Sequence, residues 1–381
     1  MRTRILIPLV ILFCTSCNNN SNDASFEEKK IFIDLKSTTP IKLSDISESN
    51  QLIKLQTTDQ SIFKSIRNIE IFDNKIFIND GYSVSIFDYN RGLFINKLNK
   101  RGKGPTEYLS ISGLVIDPMD STMIISDMSG QSIIYYSFKG EFIKRCKLGY
   151  WAGDMHKTNT NNLLLYSGNR KDEKQSAKLT LVKNCEKIKD YMPVPDNRTY
   201  INAISNSHFY SYNDTTLFFE PFNDTIYSFV NDKLAVRYAI DFSGQNIDKD
   251  IYDGKYSDVS EFIKELKRHN YAYGINSFIE TERSLFFSFK YNKRNYAIYD
   301  KKTNSSSVFT DIIDDVNFSS IYLDVTHRDF NIFCKNGNII YAIQPKFIID
   351  NKENITSTKL LEIAESIKGD DNYILCIAKV K

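Results

Sequence analysis

From Ile69 onward the chain alternates short apolar runs with clusters of Asp, Asn, Gly and Lys. Ile69-Glu70-Ile71-Phe72 passes through Asp73-Asn74 into Ile76-Phe77-Ile78. Ser85-Ile86-Phe87-Asp88-Tyr89 follows, then a turn at Asn90-Arg91-Gly92 and the run Leu93-Phe94-Ile95. Runs this short, rich in β-branched and aromatic residues and bounded by turn formers, predict strands. The same grammar returns at Leu114-Val115-Ile116, Met123 to Asp127, Ile133 to Tyr136 and Lys139 to Ile143. Asp80 to Asp127 spans 47 residues, and Gly92 to Gly140 spans 48. A period of roughly 40–50 residues with about four strands per unit is the signature of a propeller blade.

The third strand of each unit can be followed along the chain. Its centre falls at Phe87, Tyr135, Leu181, Tyr227, Tyr299 and Tyr341. Six units result, and one interval is too long. That interval runs from Tyr227 to Tyr299, and the insertion within it, about 244–273, holds Val259, Phe262, Ile263 and Leu266 at helical spacing, with Asp258 as cap and Glu261 three residues on. This predicts a short amphipathic helix with a capping-box start. Leu360 to Ile367 predicts a second helix, and Tyr373 to Val380 a final strand. A ring must close to remove its exposed edges. An N-terminal strand, near Ile31–Leu35 or Leu52–Leu55, is therefore expected to complete the last blade. The expected fold is all-β: a six-bladed β-propeller over residues 31–381 with a helical insertion between blades four and five.

The N-terminus changes the picture of where such a ring works. Arg2 and Arg4 precede an apolar run from Ile5 to Phe13, then Cys14-Thr15-Ser16-Cys17. This is the pattern of a secretory signal, too short to span a membrane. Thr15-Ser16-Cys17 resembles the bacterial lipobox, with Cys14 where that family usually has Leu. Residues 1–16 are read as the signal, Cys17 as the lipidated residue and residues 17–30 as a polar tether. Loss of Arg2 and Arg4 leaves 47 basic against 47 acidic side chains. Such a balance argues against nucleic-acid binding. Of the remaining cysteines, Cys146, Cys185, Cys334 and Cys376 form no C-x-x-C pair. Three pairings are open to them, and buried free thiols are the favoured reading.

One stretch separates the first two units: Arg101-Gly102-Lys103-Gly104-Pro105-Thr106-Glu107-Tyr108. Its glycines and proline suit a turn, and free N–H groups there could cradle an anion. The P-loop spacing is absent. Together with Phe87-Asp88…Gly92-Leu93-Phe94-Ile95, Phe222-Asn223-Asp224-Thr225-Ile226-Tyr227 and Asp370-Asp371-Asn372, this stretch resembles the six-bladed propeller lipoproteins of Bacteroidota, similar in shape to NHL and TolB-like propellers. Tyr373 stands where that family often has Pro. The resemblance implies a propeller in the cell envelope, the outer membrane favoured over the inner, and implies no activity.

Candidate chemistry is sparse. His156, His208, His269 and His327 are scattered, without H-E-x-x-H, and no G-x-S-x-G occurs. No catalytic residue, metal or cofactor is expected. Tyr150-Trp151-Ala152-Gly153-Asp154-Met155-His156 contains the single tryptophan and two polar tips. Trp151 can serve as a platform for sugar or peptide, or pack between blades. Arg101, Lys103, Glu107, Tyr108, Trp151 and His156 are the candidate binding residues. The expected function is non-catalytic binding of an envelope protein, peptide or glycan, with membrane attachment through lipid. The alternative is a hydrolase or lyase with its site in the central channel.

Overall fold

The computed structural model describes residues 28–36, 39–202, 207–323 and 330–381; Cys17, the signal and most of the tether lie outside them. These residues form an all-β propeller of seven sheets, which overturns the expected count of six blades. Sheet I comprises Asn68–Phe72, Lys75–Asn79, Val84–Asp88 and Phe94–Leu98. Sheet II comprises Gly113–Asp117, Thr122–Asp127, Ser132–Ser137 and Phe142–Lys147; sheet III comprises Asp154–Lys157, Leu163–Tyr166, Ala177–Lys183 and Glu186–Pro193. Sheet IV is Phe209–Tyr212, Thr215–Phe218, Thr225–Val230 and Lys233–Asp241, with Lys29–Phe32 added in parallel as a fifth strand. Sheet V is Tyr273–Glu280, Ser284–Tyr291, Lys293–Asp300 and Ser305–Phe309.

Sheet VI takes Phe330–Lys335, Asn338–Ile343 and Ile374–Val380 from the C-terminus and Ser47–Lys54 from the N-terminus. Closure by the segment that includes Leu52 is as expected. The Ile31 segment instead edges sheet IV, and its strand begins at Lys29, inside the expected tether. Sheet VII is small. Ile312–Asp314 pairs in parallel with Ile41–Lys42 and antiparallel with Ile321–Tyr322. Strands of two and three residues leave no readable period, so the repeat could not count this sheet. The interval from Tyr299 to Tyr341 was misread for the same reason. Tyr341 lies on the second strand of sheet VI, and the third is Ile374–Val380.

Two-residue turns set the local register. Asp73-Asn74, Asn213-Asp214 and Asn231-Asp232 all hold positive φ at both positions. That is the type I′ geometry whose twist matches antiparallel strands. Neighbouring sheets stack face to face, so the middle strands are buried on both sides: Phe77, Ile86, Met123 and Ile125 share one cluster between sheets I and II. Between sheets IV and V lie helices α1 (Lys249–Tyr252) and α2 (Val259–Arg268). The Asp258 carboxylate caps α2 by accepting from Ser260 N (2.7 Å) and Glu261 N (3.0 Å). Phe262 and Leu266 are fully buried beneath it. A third helix, α3 (Thr358–Ser366), precedes the last strand and is capped by Ser357.

The cysteine reading is corrected in part. Cys146, on the outer strand of sheet II, is disulfide-bonded to Cys185, with Cα atoms 5.1 Å apart. Cys185 occupies the second position of the Asn184-Cys185 turn, at φ 73°, which carries its side chain beyond sheet III. Cys334 and Cys376 are free. The bridge closes a loop of 39 residues. Cys185→Ser is expected to cost about 2–4 kcal/mol in urea denaturation. Dithiothreitol should lower the wild type to the variant's level and leave the variant unchanged; equal stability of the two oxidised proteins would refute the role.

Candidate functional site

Antiparallel order places two kinds of connection at the same end of the ring: those from second to third strand, and those from fourth strand to the next sheet. That face carries Arg101–Tyr108, Trp151, Arg170 and both insertion helices. The inner strands line an axial cavity. His156 belongs to the cavity, so the structure separates it from Trp151, which the sequence had placed in the same loop.

The Arg101–Tyr108 stretch is built inward. The Glu107 carboxylate accepts from Gly104 N at 2.8 Å, and a Cβ on Gly102 would meet that carboxylate at 1.9 Å. Tyr108 is fully buried. Its hydroxyl lies 2.9 Å from Tyr82 O and accepts from Lys100 N at 3.2 Å. Burial drives its pKa up. Tyr136 donates to Thr106 O at 2.7 Å, and Arg145 to Glu107 O. Glu107 and Tyr108 thus fold the turn, and of the four candidate residues in it only Arg101 and Lys103 are exposed. The Arg101 guanidinium stands 4.4 Å from the Tyr82 ring. Trp151 is half-buried, with the Arg170 guanidinium 4.5 Å from its ring.

The axial cavity has two connected parts. One, of about 250 Å³, is lined by Asn68, Glu70, Asp154, His156, Ser211 and Lys335 among others. The other, of about 160 Å³, shares Asn68, Phe209 and Lys335 and adds Asn276, Phe278 and Arg294. Lys335 Nζ pairs with Glu70 Oε1 at 2.6 Å. The two Asp154 oxygens accept from Met155 N (2.8 Å) and His208 N (2.9 Å). His156 Nε2 is 2.8 Å from Ser211 Oγ, and its ring stacks on Phe209 at 5.6 Å. Among the described residues, no group of three His, Cys, Asp or Glu is placed to hold a metal.

Burial dominates the titration here. It pushes the Asp154 carboxyl up to about 7, with Glu70 raising it further and the two N–H donors and Lys335 opposing. Burial lowers His156 to about 3, and Lys335 adds to that. The two groups have opposite linkage. Asp154, raised on folding, contributes stability below about pH 4 that is lost as pH rises to about 7. His156, depressed on folding, contributes stability at neutral pH that is lost as pH falls from about 6.5 to about 3. Relative to wild type, Asp154→Asn should therefore steepen the rise of stability with pH between 4 and 6.5, and His156→Gln should flatten it. Urea midpoints at pH 4, 5 and 6.5 measure this; identical slopes in all three proteins would refute it.

Glu70, Asp154, Lys335 and Arg294 come together only because the ring closes. Asp154 and His156 apart, no short motif marks them; Glu70, Asp154 and Lys335 share placement on inner strands, whereas Arg294 reaches the cavity from a third strand.

Relatives bear on the fold. The chain is similar to a presumed exported protein of Bacteroides fragilis NCTC 9343 at 19% identity. That match covers 93% of this chain and all of the other, at a TM-score of 0.76. It is also similar to a member of the DUF4221 family from Bacteroides vulgatus ATCC 8482. There the identity is 12%, the coverage 88% and 98%, and the TM-score 0.52. At such identities the likeness speaks for the fold alone. No curated protein matches. Residues 29–379 match the family described as a domain of unknown function (DUF4934), and the chain belongs to that family.

Proposed function

We propose that this chain is a non-catalytic binding propeller of the cell envelope, anchored through Cys17, whose ligand enters the axial cavity. Its partner is an envelope protein, peptide or glycan. One observation carries the reading: the titratable groups of the 250 Å³ part are already engaged within the protein. Glu70 is paired with Lys335, Asp154 with two backbone N–H groups, and His156 with Ser211. Such groups hold a shape and offer remaining hydrogen-bond sites; they do not form a nucleophile with a free base. The presumed export of the Bacteroides fragilis relative agrees with the signal-like N-terminus. Trp151 with Arg170, and α2, supply a second contact area on the loop face.

The test is cross-linked affinity purification of the full chain from native envelopes, with mass spectrometry and fatty-acid labelling. A stoichiometric partner, reduced by Asn68→Phe in the cavity or Trp151→Ala on the face, is the expected result. Capture unchanged by both variants, or no label on Cys17, would overturn the respective part. A hydrolase or lyase is the second reading, favoured by one fact: Asp154 is poised near neutrality, where an acid–base group works. It predicts turnover of an envelope substrate that Asp154→Asn abolishes.

A further inference from the structure

Arg294 belongs to the third strand of sheet V, yet it lines the axial cavity. The inner strand in front of it is irregular. Tyr273–Glu280 breaks register on both sides of Asn276, and Ser277 holds φ 49°. Bulges of this kind redirect side chains near functional sites. Asn276 and Ser277 border the same cavity as Arg294.

The Arg294 guanidinium has no ion pair among the described residues. Arg198 and Arg237, by contrast, meet Asp253 and Glu280 at 2.8 and 2.7 Å. Asp311, the acidic side chain of the adjoining loop, pairs with Lys293 at 3.2 Å. The Tyr296 hydroxyl interacts with Arg294 but brings no negative charge, since burial pushes its pKa up to about 12 against the opposing effect of Arg294. Lys335 is a second cation in the cavity and is answered by Glu70. The surplus of positive charge is felt nearby: burial lowers the Lys290 pKa, and Arg294 and Lys267 lower it further. A half-buried guanidinium without a counter-charge is a ready partner for a planar anion, which it can bind through two parallel hydrogen bonds. The lining beside it is mixed and mostly polar, with Asn68, Asn276 and Ser277 next to the buried rings of Phe209 and Phe278.

We propose that the axial cavity takes a small carboxylate. The carboxylate sits on Arg294, and Asn68 and Asn276 meet its remaining polar groups. This rests on the axial cavity being the binding site, as proposed above.

Calorimetry on the full chain tests it with three probes: N-acetylglycine, its neutral amide and inorganic phosphate. The acid should bind at least tenfold more tightly than the amide. Arg294→Gln should lose at least tenfold in affinity for the acid with an unchanged melting curve, and Arg294→Lys should retain part of it. Acid binding untouched by Arg294→Gln, or no acid binding by the wild type, overturns the proposal. Phosphate binding as tight as that of the acid does so too, because the site would then serve bare anions. If acid and amide bind equally and Asn68→Phe blocks both, the anion assignment falls while the axial site stands. Acid binding that survives Asn68→Phe removes the axial reading itself.

Discussion

A chain lacking residues 31–55 is expected to show no cooperative thermal transition. The deletion removes the strand Ser47–Lys54, which pairs with Ile374–Val380 along its length, and the Ile41–Lys42 strand of sheet VII. It also removes Ile31, Ile33, Leu43, Ile46, Ile53 and Leu55, all buried. Each such side chain contributes about 1.5–3 kcal/mol when fully buried. Their sum, about 9–18 kcal/mol, is as large as the whole stability of a typical domain, about 5–15 kcal/mol. Polar contacts are lost with them. Asn50 donates to Asn317 Oδ1 at 2.9 Å and accepts from the Cys376 thiol at 2.6 Å. Circular dichroism melts of the full and shortened chains decide it; a transition within a few degrees of the full chain's would contradict the closure.

Glu280→Ala is expected to cost about 3–5 kcal/mol, the range for breaking a buried pair by removing one partner. The Glu280 side chain has no exposed surface. It accepts from Arg237 Nε (3.0 Å) and Nη2 (2.7 Å), from the Tyr238 hydroxyl (2.7 Å) and from Lys301 Nζ (2.7 Å). Arg237 comes from sheet IV and Lys301 follows the third strand of sheet V, so one carboxylate joins two sheets. Its loss leaves two cations crowded without an anion. Glu280→Gln keeps the shape and should cost less than alanine but remain clearly destabilising. Urea denaturation measures both, and a loss under about 1 kcal/mol for alanine would show that the cations find other partners.

The propeller was legible because its signal is local and repeated. Phe87, Tyr135, Leu181, Tyr227 and Tyr299 all fall on the third strand of their sheets. Asp258 caps the insertion helix where its spacing to Glu261 indicated. Signals that depend on closure were not legible. Sheet VII joins residues 41–42 to residues 312–314, a contact that no window of sequence contains. Cys146 and Cys185 meet because a type I′ turn in one sheet abuts the outer strand of another. For the site, residue type alone misled. Glu107 and Tyr108 looked available for binding and are consumed in folding their own turn. Nothing in the sequence singles out Arg294, which lines the axial cavity without an ion pair among the described residues.

The shared sheet VI also fixes an order of events in time. Asn50 and Cys376 touch across 326 residues of sequence. The strand that seals the ring is thus made well before its partner and must wait for it. Contacts so distant in sequence are slow to form, because the entropy of closing the loop is lost before the contacts repay it. Until then Ser47–Lys54 is an unpaired edge, open to pairing with another chain. Its own sequence limits that hazard: Ser47-Glu48-Ser49-Asn50-Gln51 is polar, and the apolar residues come only at Leu52 and Ile53. The strand is sticky enough to finish the ring and too polar over most of its length to be captured readily by a neighbour.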